Sequence, residues 1–328
     1  MSSKKLDKSE IHNILVITLS NLGDVILTFP VIDILKRDFP KARLSVVAGP
    51  KAEVLFKENP YIYHTYIFDK TKSGLQKFFW LIDLRRGKFD LIMDLRNTAI
   101  PFLIQAKYST PPQIFRTKMM HMKIKHLHRL KTVFDFASES GIRYSLFRTE
   151  KDIRYIDDVV RNRIGLGKRI FVVAPGAANH IKRWTPQGFG RVCDQVAELP
   201  NAKVVFVGDA NDKDIVDEIS LSMHNDFLNI CGETTITQLA ELLRRSALAL
   251  TNDSAVMHLA SYLDISVVAI FGPTDPRKYG PWSSRSSVVR KDIFCSPCEK
   301  SGCAFHHECM QYIQPQEVIN AVKSLLKT

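Results

Sequence analysis

No apolar run in this 328-residue chain approaches the ~20 residues that cross a bilayer. The polar opening from Met1 to His12 is followed by an apolar run, Ile14–Leu19, too short for a secretory h-region. These absences predict a cytoplasmic protein. No G-x-G-x-x-G follows a strand pattern and no G-x-x-x-x-G-K-[ST] occurs, so neither a dinucleotide fingerprint nor a P-loop is present. The G-x-S-x-G elbow of α/β-hydrolases is missing too. Cysteine is sparse, at six residues, which excludes a small disulfide-built scaffold. Acid is in deficit, with 34 Asp and Glu against 46 Lys and Arg, for a net charge of +12.

What is present is globular usage, 45% hydrophobic and 24% charged, in a chain long enough for about two domains. The cations are uneven. Eleven Lys and Arg against four acids lie between Gln105 and Arg154, carrying seven of the net positive charges. Such a field attracts nucleic acid, anionic headgroups or phosphorylated substrates, unless it is simply a solvated face.

Short apolar runs alternate with helical patterns from end to end, the signature of parallel α/β sheets. Strands are predicted at Asn13–Leu19, Arg43–Ala48, Tyr63–Phe68 and Asp90–Leu95. Helices are predicted at Asp24–Asp38, Pro50–Lys57, Leu75–Arg86, Leu130–Ser140 and Ile156–Ile164, with a loop over Thr110–Lys125. The pattern restarts with strands at Arg169–Ala174, Lys203–Val207, Leu248–Thr251 and Val267–Phe271. Helices there cover Pro186–Glu198, a segment ending near Ser222, Ile236–Arg245, Ala255–Leu263 and the terminus. The boundary is expected between residues 1–166 and 167–328.

Three loops at strand ends carry chemistry. Leu22-Gly23-Asp24 follows the first strand, and Asp24 is either a helix cap or a carboxylate at the sheet's functional edge. Pro175-Gly176-Ala177-Ala178-Asn179-His180-Ile181-Lys182-Arg183-Trp184 offers small residues and two cations. Lys182 there is either an exposed charge or a point charge for a diphosphate. Thr251-Asn252-Asp253-Ser254-Ala255-Val256-Met257-His258 opens a helix, whose N-terminus is either capped or an anion site. Asp209 reads as a ribose ligand or a turn residue, and Asp212-x-Asp214 as a metal–nucleotide pair or first-turn acids favoured by the helix dipole.

In order, Leu15 through Pro30, Asn59-Pro60, Pro175-Gly176-Ala177 with Lys182-Arg183-Trp184, Asn252-Asp253-Ser254 with Met257-His258-Leu259-Ala260, and Phe271-Gly272-Pro273-Thr274-Asp275-Pro276 resemble glycosyltransferase family 9, the ADP-heptose:lipopolysaccharide heptosyltransferases. The tail looks closer to the second heptosyltransferase subgroup. The resemblance implies a GT-B fold, two Rossmann-like parallel-sheet domains facing across a cleft. Residues 1–166 would bind the acceptor and 167–328 the nucleotide-sugar, with the terminal helix packing back toward the first domain. It implies inversion at the anomeric carbon without a metal or other required cofactor. Asp24 matches the general base and Lys182 the cation on the leaving diphosphate. Gly176, Ala177, Asp209, Asp253, Ser254, Ala255 and His258 are the further donor-side candidates, and Gly23, Arg96, Asn97 and Lys123 the acceptor-side ones. The partners implied are ADP-heptose or a similar donor, an anionic lipid-linked oligosaccharide acceptor and the inner membrane surface, with no nucleic acid, which would make the protein peripheral on the inner face of the cytoplasmic membrane.

Two departures stand out. Ala255 replaces the family's Gly, and Ala177-Ala178 stand where some members carry threonine. The segment Cys295-x2-Cys298-x4-Cys303-x5-Cys309 has zinc-like local spacing, so zinc or iron–sulfur stands against reduced structural thiols. Outside this class, a GT-B nucleotide-sugar epimerase and a basic nucleic-acid-binding protein are the alternatives. The latter calls for aromatics interleaved with the cations.

Overall fold

A computed structural model describes residues 6–18, 20–113, 119–139 and 141–327. Leu19, residues 114–118 (Lys118 among them) and Ser140, on which parts of the expectations fall, lie outside the described residues. The chain divides into two compact units, residues 1–147 and 148–328.

The first unit is built on a five-stranded parallel sheet. Its strands are β1 (Asn13–Ile17), β2 (Arg43–Ala48), β3 (His64–Ile67), β4 (Leu91–Asp94) and β5 (Tyr108–Ser109), in the order β3-β2-β1-β4-β5. The apolar run of β1 is buried along Ile14–Ile17, as a central strand covered on both faces must be. Its helices are α1 (Leu22–Ile26), α2 (Phe29–Asp38), α3 (Gly74–Arg86), α4 (Ile100–Ile104) and α5 (Met122–Lys131). The single helix expected over Asp24–Asp38 is broken between α1 and α2, where Pro30 has no N–H to continue the ladder and Thr28 Oγ1 donates to Val25 O at 2.6 Å. Pro50–Leu55 is a 3₁₀ turn. Helix α5 lies earlier than the expected Leu130–Ser140 because Leu127 and Leu130 already bury and His121 accepts from Lys123 N at the start.

The second unit carries β6 (Arg169–Ala174), β7 (Ala202–Phe206), β8 (Phe227–Asn229), β9 (Ser246–Asn252), β10 (Val267–Phe271) and β11 (Ser286–Arg290), all parallel, in the order β11-β10-β9-β6-β7-β8. Around it run α6 (Glu150–Val159), α7 (Pro186–Ala197), α8 (Asp212–Ser220), α9 (Ile236–Arg244), α10 (Ala255–Tyr262), α11 (Pro276–Tyr279), α12 (Glu308–Gln311) and α13 (Pro315–Leu326). Phe171, Phe189, Phe206, Val268 and Ile270 form its core. The division falls at 147/148 rather than 166/167 because α6 packs on α9. Arg148 pairs with Glu241 at 2.7 Å and Arg245 with Asp157 at 2.6 Å, tying the segment after Phe147 to the second sheet. Helix α13 buries Val318, Ile319 and Val322 against α7, β10 and β11 of its own unit.

Both topologies create a switch point. In the first unit the chain leaves β1 toward β2 on one side and returns to β4 on the other. In the second, β6 sits between β7 and β9 in the same way. Loops at the carboxyl ends of such strand pairs diverge and leave a ligand crevice.

Candidate functional site

At the β1/β4 switch point of the first unit, the loop after β1 places Asp24 in the third helical position of α1, half-buried. Asn21, not Asp24, occupies the cap position. Asn21 Nδ2 donates to Asp24 Oδ2 at 3.0 Å, which holds the carboxylate without consuming its second oxygen. From the other strand, Arg96 NH1 donates to Ser20 Oγ at 3.2 Å, so the two diverging loops are joined next to Asn21-Leu22-Gly23-Asp24. Asn97 adopts a left-handed backbone, φ +59, and exchanges hydrogen bonds with Gln113 at 3.1 and 2.7 Å. Its side chain is spent on the loop.

Lys123 is placed elsewhere by its partner. Its ammonium contacts Glu139 at 2.9 Å. Other cations of the basic stretch are also engaged: Lys107 pairs with Glu10, Arg148 with Glu241, and Lys131 lies 5.4 Å over Phe136. Arg129, buried, donates to Asp94 O at 2.8 Å and Pro111 O at 3.4 Å. The charge excess read from composition is therefore partly neutralised or buried in the fold.

At the β6/β9 switch point of the second unit the loops predicted to bind the donor come together. Asn179 Oδ1 accepts from Ile181 N at 3.2 Å and starts a 3₁₀ turn that delivers Lys182. Lys182 Nζ lies 2.7 Å from Asp253 Oδ2. Asn252, fully buried, lashes the two loops: its Oδ1 accepts from Trp184 N at 3.1 Å and its Nδ2 donates to Pro175 O at 2.6 Å. Trp184 in turn is buried and donates from its indole to Ile313 O at 3.2 Å. Arg183 folds back on Ala177 O at 3.1 and 3.3 Å, so only one of the two loop cations faces Asp253.

Ser254 is the cap residue of α10 yet makes no side-chain capping bond. Its hydroxyl and that of Thr251 are buried with no hydrogen-bond partner among the described residues. An orphaned Ser254 hydroxyl at the N-terminus of α10 is chemistry that can meet an anion. Ala255 opens α10 in ordinary helical geometry, so its methyl meets no backbone demand for glycine. His258, in α10, is buried and stacks on Trp282 at 5.5 Å.

Asp209 is exposed, and its Oδ1 accepts from Asn211 N at 2.8 Å. Asp212, at the start of α8, is buried, and its carboxylate accepts from Asp209 N at 3.0 Å. Burial raises its pKa, the Asp209 N–H opposing the rise. A Cβ on Gly176 or Gly208 would collide with that carboxylate. Gly176 is thus required by Asp212, and Asp212 is a loop anchor, not half of a metal pair.

Cys295, Cys298, Cys303 and Cys309 line one cavity of about 50 Å³ with His307. Burial, then the neighbouring cysteines, push the Cys309 thiol up to about 11. All six cysteines are free. Among the described residues no group of three or more His, Cys, Asp or Glu is arranged to hold a metal ion. The zinc expectation therefore finds no support in the side-chain geometry.

Sequence reasoning passed over Asn252 as a positioning residue, although it stands inside the quoted motif. It also passed over Arg96's bond to Ser20, for which no local signal exists.

A family model described as glycosyltransferase family 9 (heptosyltransferase) matches residues 109–308. Lipooligosaccharide heptosyltransferase 2 of Campylobacter jejuni is 28% identical over 317 residues, covering 93% of this chain and 96% of that protein. Lipopolysaccharide heptosyltransferase 3 of Escherichia coli is 25% identical, with 80% and 83% covered. A solved family 9 glycosyltransferase from Veillonella parvula superposes with a TM-score of 0.81 over 100% of both chains at 23% identity. The E. coli ADP-heptose heptosyltransferase II superposes at 0.74, covering 96% and 98% at 21% identity. The architecture is thus that of the GT-B heptosyltransferases. Neither the nucleic-acid alternative nor the epimerase is supported by these matches.

Proposed function

The chain belongs to glycosyltransferase family 9, and from that premise we infer that it transfers a heptose, or a related sugar, from ADP-heptose or a similar nucleotide-sugar to a lipopolysaccharide core or other lipid-linked acceptor, with inversion. The observation that carries this reading is the Lys182–Asp253 pair next to the orphaned hydroxyl of Ser254, the cap residue at the start of α10. It supplies what a departing diphosphate needs: a point charge, a hydroxyl donor and helix N–H groups aimed at developing negative charge. No metal is called for.

The second unit is the donor side and the first the acceptor side. Asp24 takes the proton of the acceptor hydroxyl as that oxygen bonds to the anomeric carbon. The bond from that carbon to the diphosphate breaks, and its electron pair leaves on the phosphate oxygen, which Lys182 meets. Asn21 orients Asp24, while Asp209 takes the ribose with its remaining oxygen. Gly23 and Arg96 border the acceptor; its negative charge suits the +12 chain.

A thermal-shift series across nucleoside diphosphates and their sugars tests the donor assignment. A ligand at a hundred times its Kd stabilises by about 2.7 kcal/mol, so ADP and ADP-heptose should raise the melting temperature above every other base. Equal response to all bases, or to none, contradicts it. The chain's described helices include none long and apolar enough to cross a membrane.

A further inference from the structure

Helix α3 carries apolar residues on two opposite faces, alongside Gln76, Lys77, Asp83, Arg85 and Arg86. Its inner face carries Leu84, fully buried, with Trp80 and Leu81 packed on the core of the first sheet. Leu75, Phe78, Phe79 and Ile82 recur at helical spacing on the opposite face, and they are 66%, 57%, 60% and 37% exposed. A helix of this kind is expected to be covered on both sides, and α3 is covered on one. Next to it packs α4, whose Phe102 is 65% exposed.

The rim of this face is basic. Between Lys70 and Lys88 stand six cations against Asp83 alone. Arg85, Arg86 and Lys88, exposed at the carboxyl end of the stripe, have no carboxylate partner among the described residues. This differs from the Gln105–Arg154 stretch, several of whose cations are already engaged.

We propose that the outer face of α3, with Phe102 of α4, docks on an anionic phospholipid bilayer, the aromatic rings entering the headgroup boundary and Arg85, Arg86 and Lys88 resting on lipid phosphates. Exposed aromatic and aliphatic side chains beside unpaired cations are the chemistry of an interfacial helix. A second copy of the chain fits less well, because it would bring two rims of the same positive sign together. The proposal rests on the functional reading only in explaining why a lipid surface is useful; binding to it needs neither donor nor acceptor.

The full chain is therefore co-sedimented with phosphatidylcholine vesicles, with and without phosphatidylglycerol, at low and high salt. Neither vesicle contains a sugar acceptor, so failure here leaves the transferase reading standing. Wild type should bind the anionic vesicles and lose most binding in neutral ones. Phe78→Ser with Phe79→Ser should lower partition at least tenfold at both salts, since each ring contributes roughly tenfold when buried. Arg85→Gln with Arg86→Gln should lower it at least tenfold at low salt, at about fivefold per cation, and little at high salt. The charge variant alters only exposed side chains, so it decides the matter should the serine variant fail to fold. Absence of wild-type binding, or equal binding by the charge variant at low salt, overturns the proposal. So does sedimentation velocity showing a wild-type dimer that Phe78→Ser with Phe79→Ser converts to monomer while vesicle binding is retained.

Discussion

Lys182 and Asp253 form an ion pair of 2.7 Å between the loops that follow β6 and β9, so the cation assigned to the leaving diphosphate is already held at its post. Asp253 is almost fully buried while Lys182 keeps about a third of its side chain exposed. An arriving diphosphate therefore finds the ammonium oriented on one side and open on the other. Lys182→Ala should weaken ADP binding and lower turnover together, by roughly 10²–10³ in kcat for loss of one charge-stabilising donor. Lys182→Arg should restore part of it, because a planar fork does not reproduce a point charge. Calorimetry with ADP alongside initial rates checks both; unchanged ADP affinity in Lys182→Ala would remove the assignment.

The position of Asp212 makes a second prediction. Its carboxylate is occupied by Asp209 N and wedged against Gly176 and Gly208. Gly176→Ala should therefore destabilise the fold by about 1–3 kcal/mol, as overpacking does, seen as a lower urea midpoint at constant slope. EDTA should leave the transfer rate unchanged. Loss restored by Mg²⁺ or Mn²⁺ would return Asp212 and Asp214 to the role of metal ligands.

Buried His126 in α5 predicts an acid limb to stability. Both ring nitrogens lack hydrogen-bond partners among the described residues, and burial, then Lys125 and Arg129, push its pKa down to about 3. The unfolded chain therefore binds a proton below pH ~6.5 that the folded chain refuses. Stability is full above that value and falls as pH drops toward 3, by about 1.4 kcal/mol per pH unit. His126→Leu removes the titration without removing a hydrogen bond. Urea unfolding at pH 7 and 5 should show the variant losing about 2 kcal/mol less than wild type. Equal losses would place the ring in contact with water.

How legible all this was depended on where each element lies. Strands such as Asn13–Ile17 and Val267–Phe271 are buried on both faces, and their continuous apolar runs stand out. Of the four edge strands, His64–Ile67 was read, while Tyr108–Ser109, Phe227–Asn229 and Ser286–Arg290 carry polar residues and little pattern and went unread. Lys182 and Asp253 were findable because each follows a strand that ends at the switch point. The pull of α6 toward α9 rests on Arg148, Glu241, Asp157 and Arg245, contacts that span 93 and 88 residues and leave no local trace. The outward stripe of α3 was hidden for another reason: Leu75, Phe78 and Phe79 look like core until the sheet is seen to lie on the other side.

The account turns on Asp24, half-buried and held at 3.0 Å by Asn21. Its direct test is the rate of ADP release from ADP-heptose in the presence of a lipopolysaccharide-core acceptor, for wild type and Asp24→Asn, with ADP affinity measured by calorimetry on both. The account predicts that wild type releases ADP only when acceptor is present. Asp24→Asn should then be slower by roughly 10²–10⁴, the span for removal of a general base, with ADP affinity and melting temperature unchanged. An Asp24→Asn rate within about tenfold of wild type would contradict it, leaving Asp24 a structural residue of α1 and the proton acceptor elsewhere.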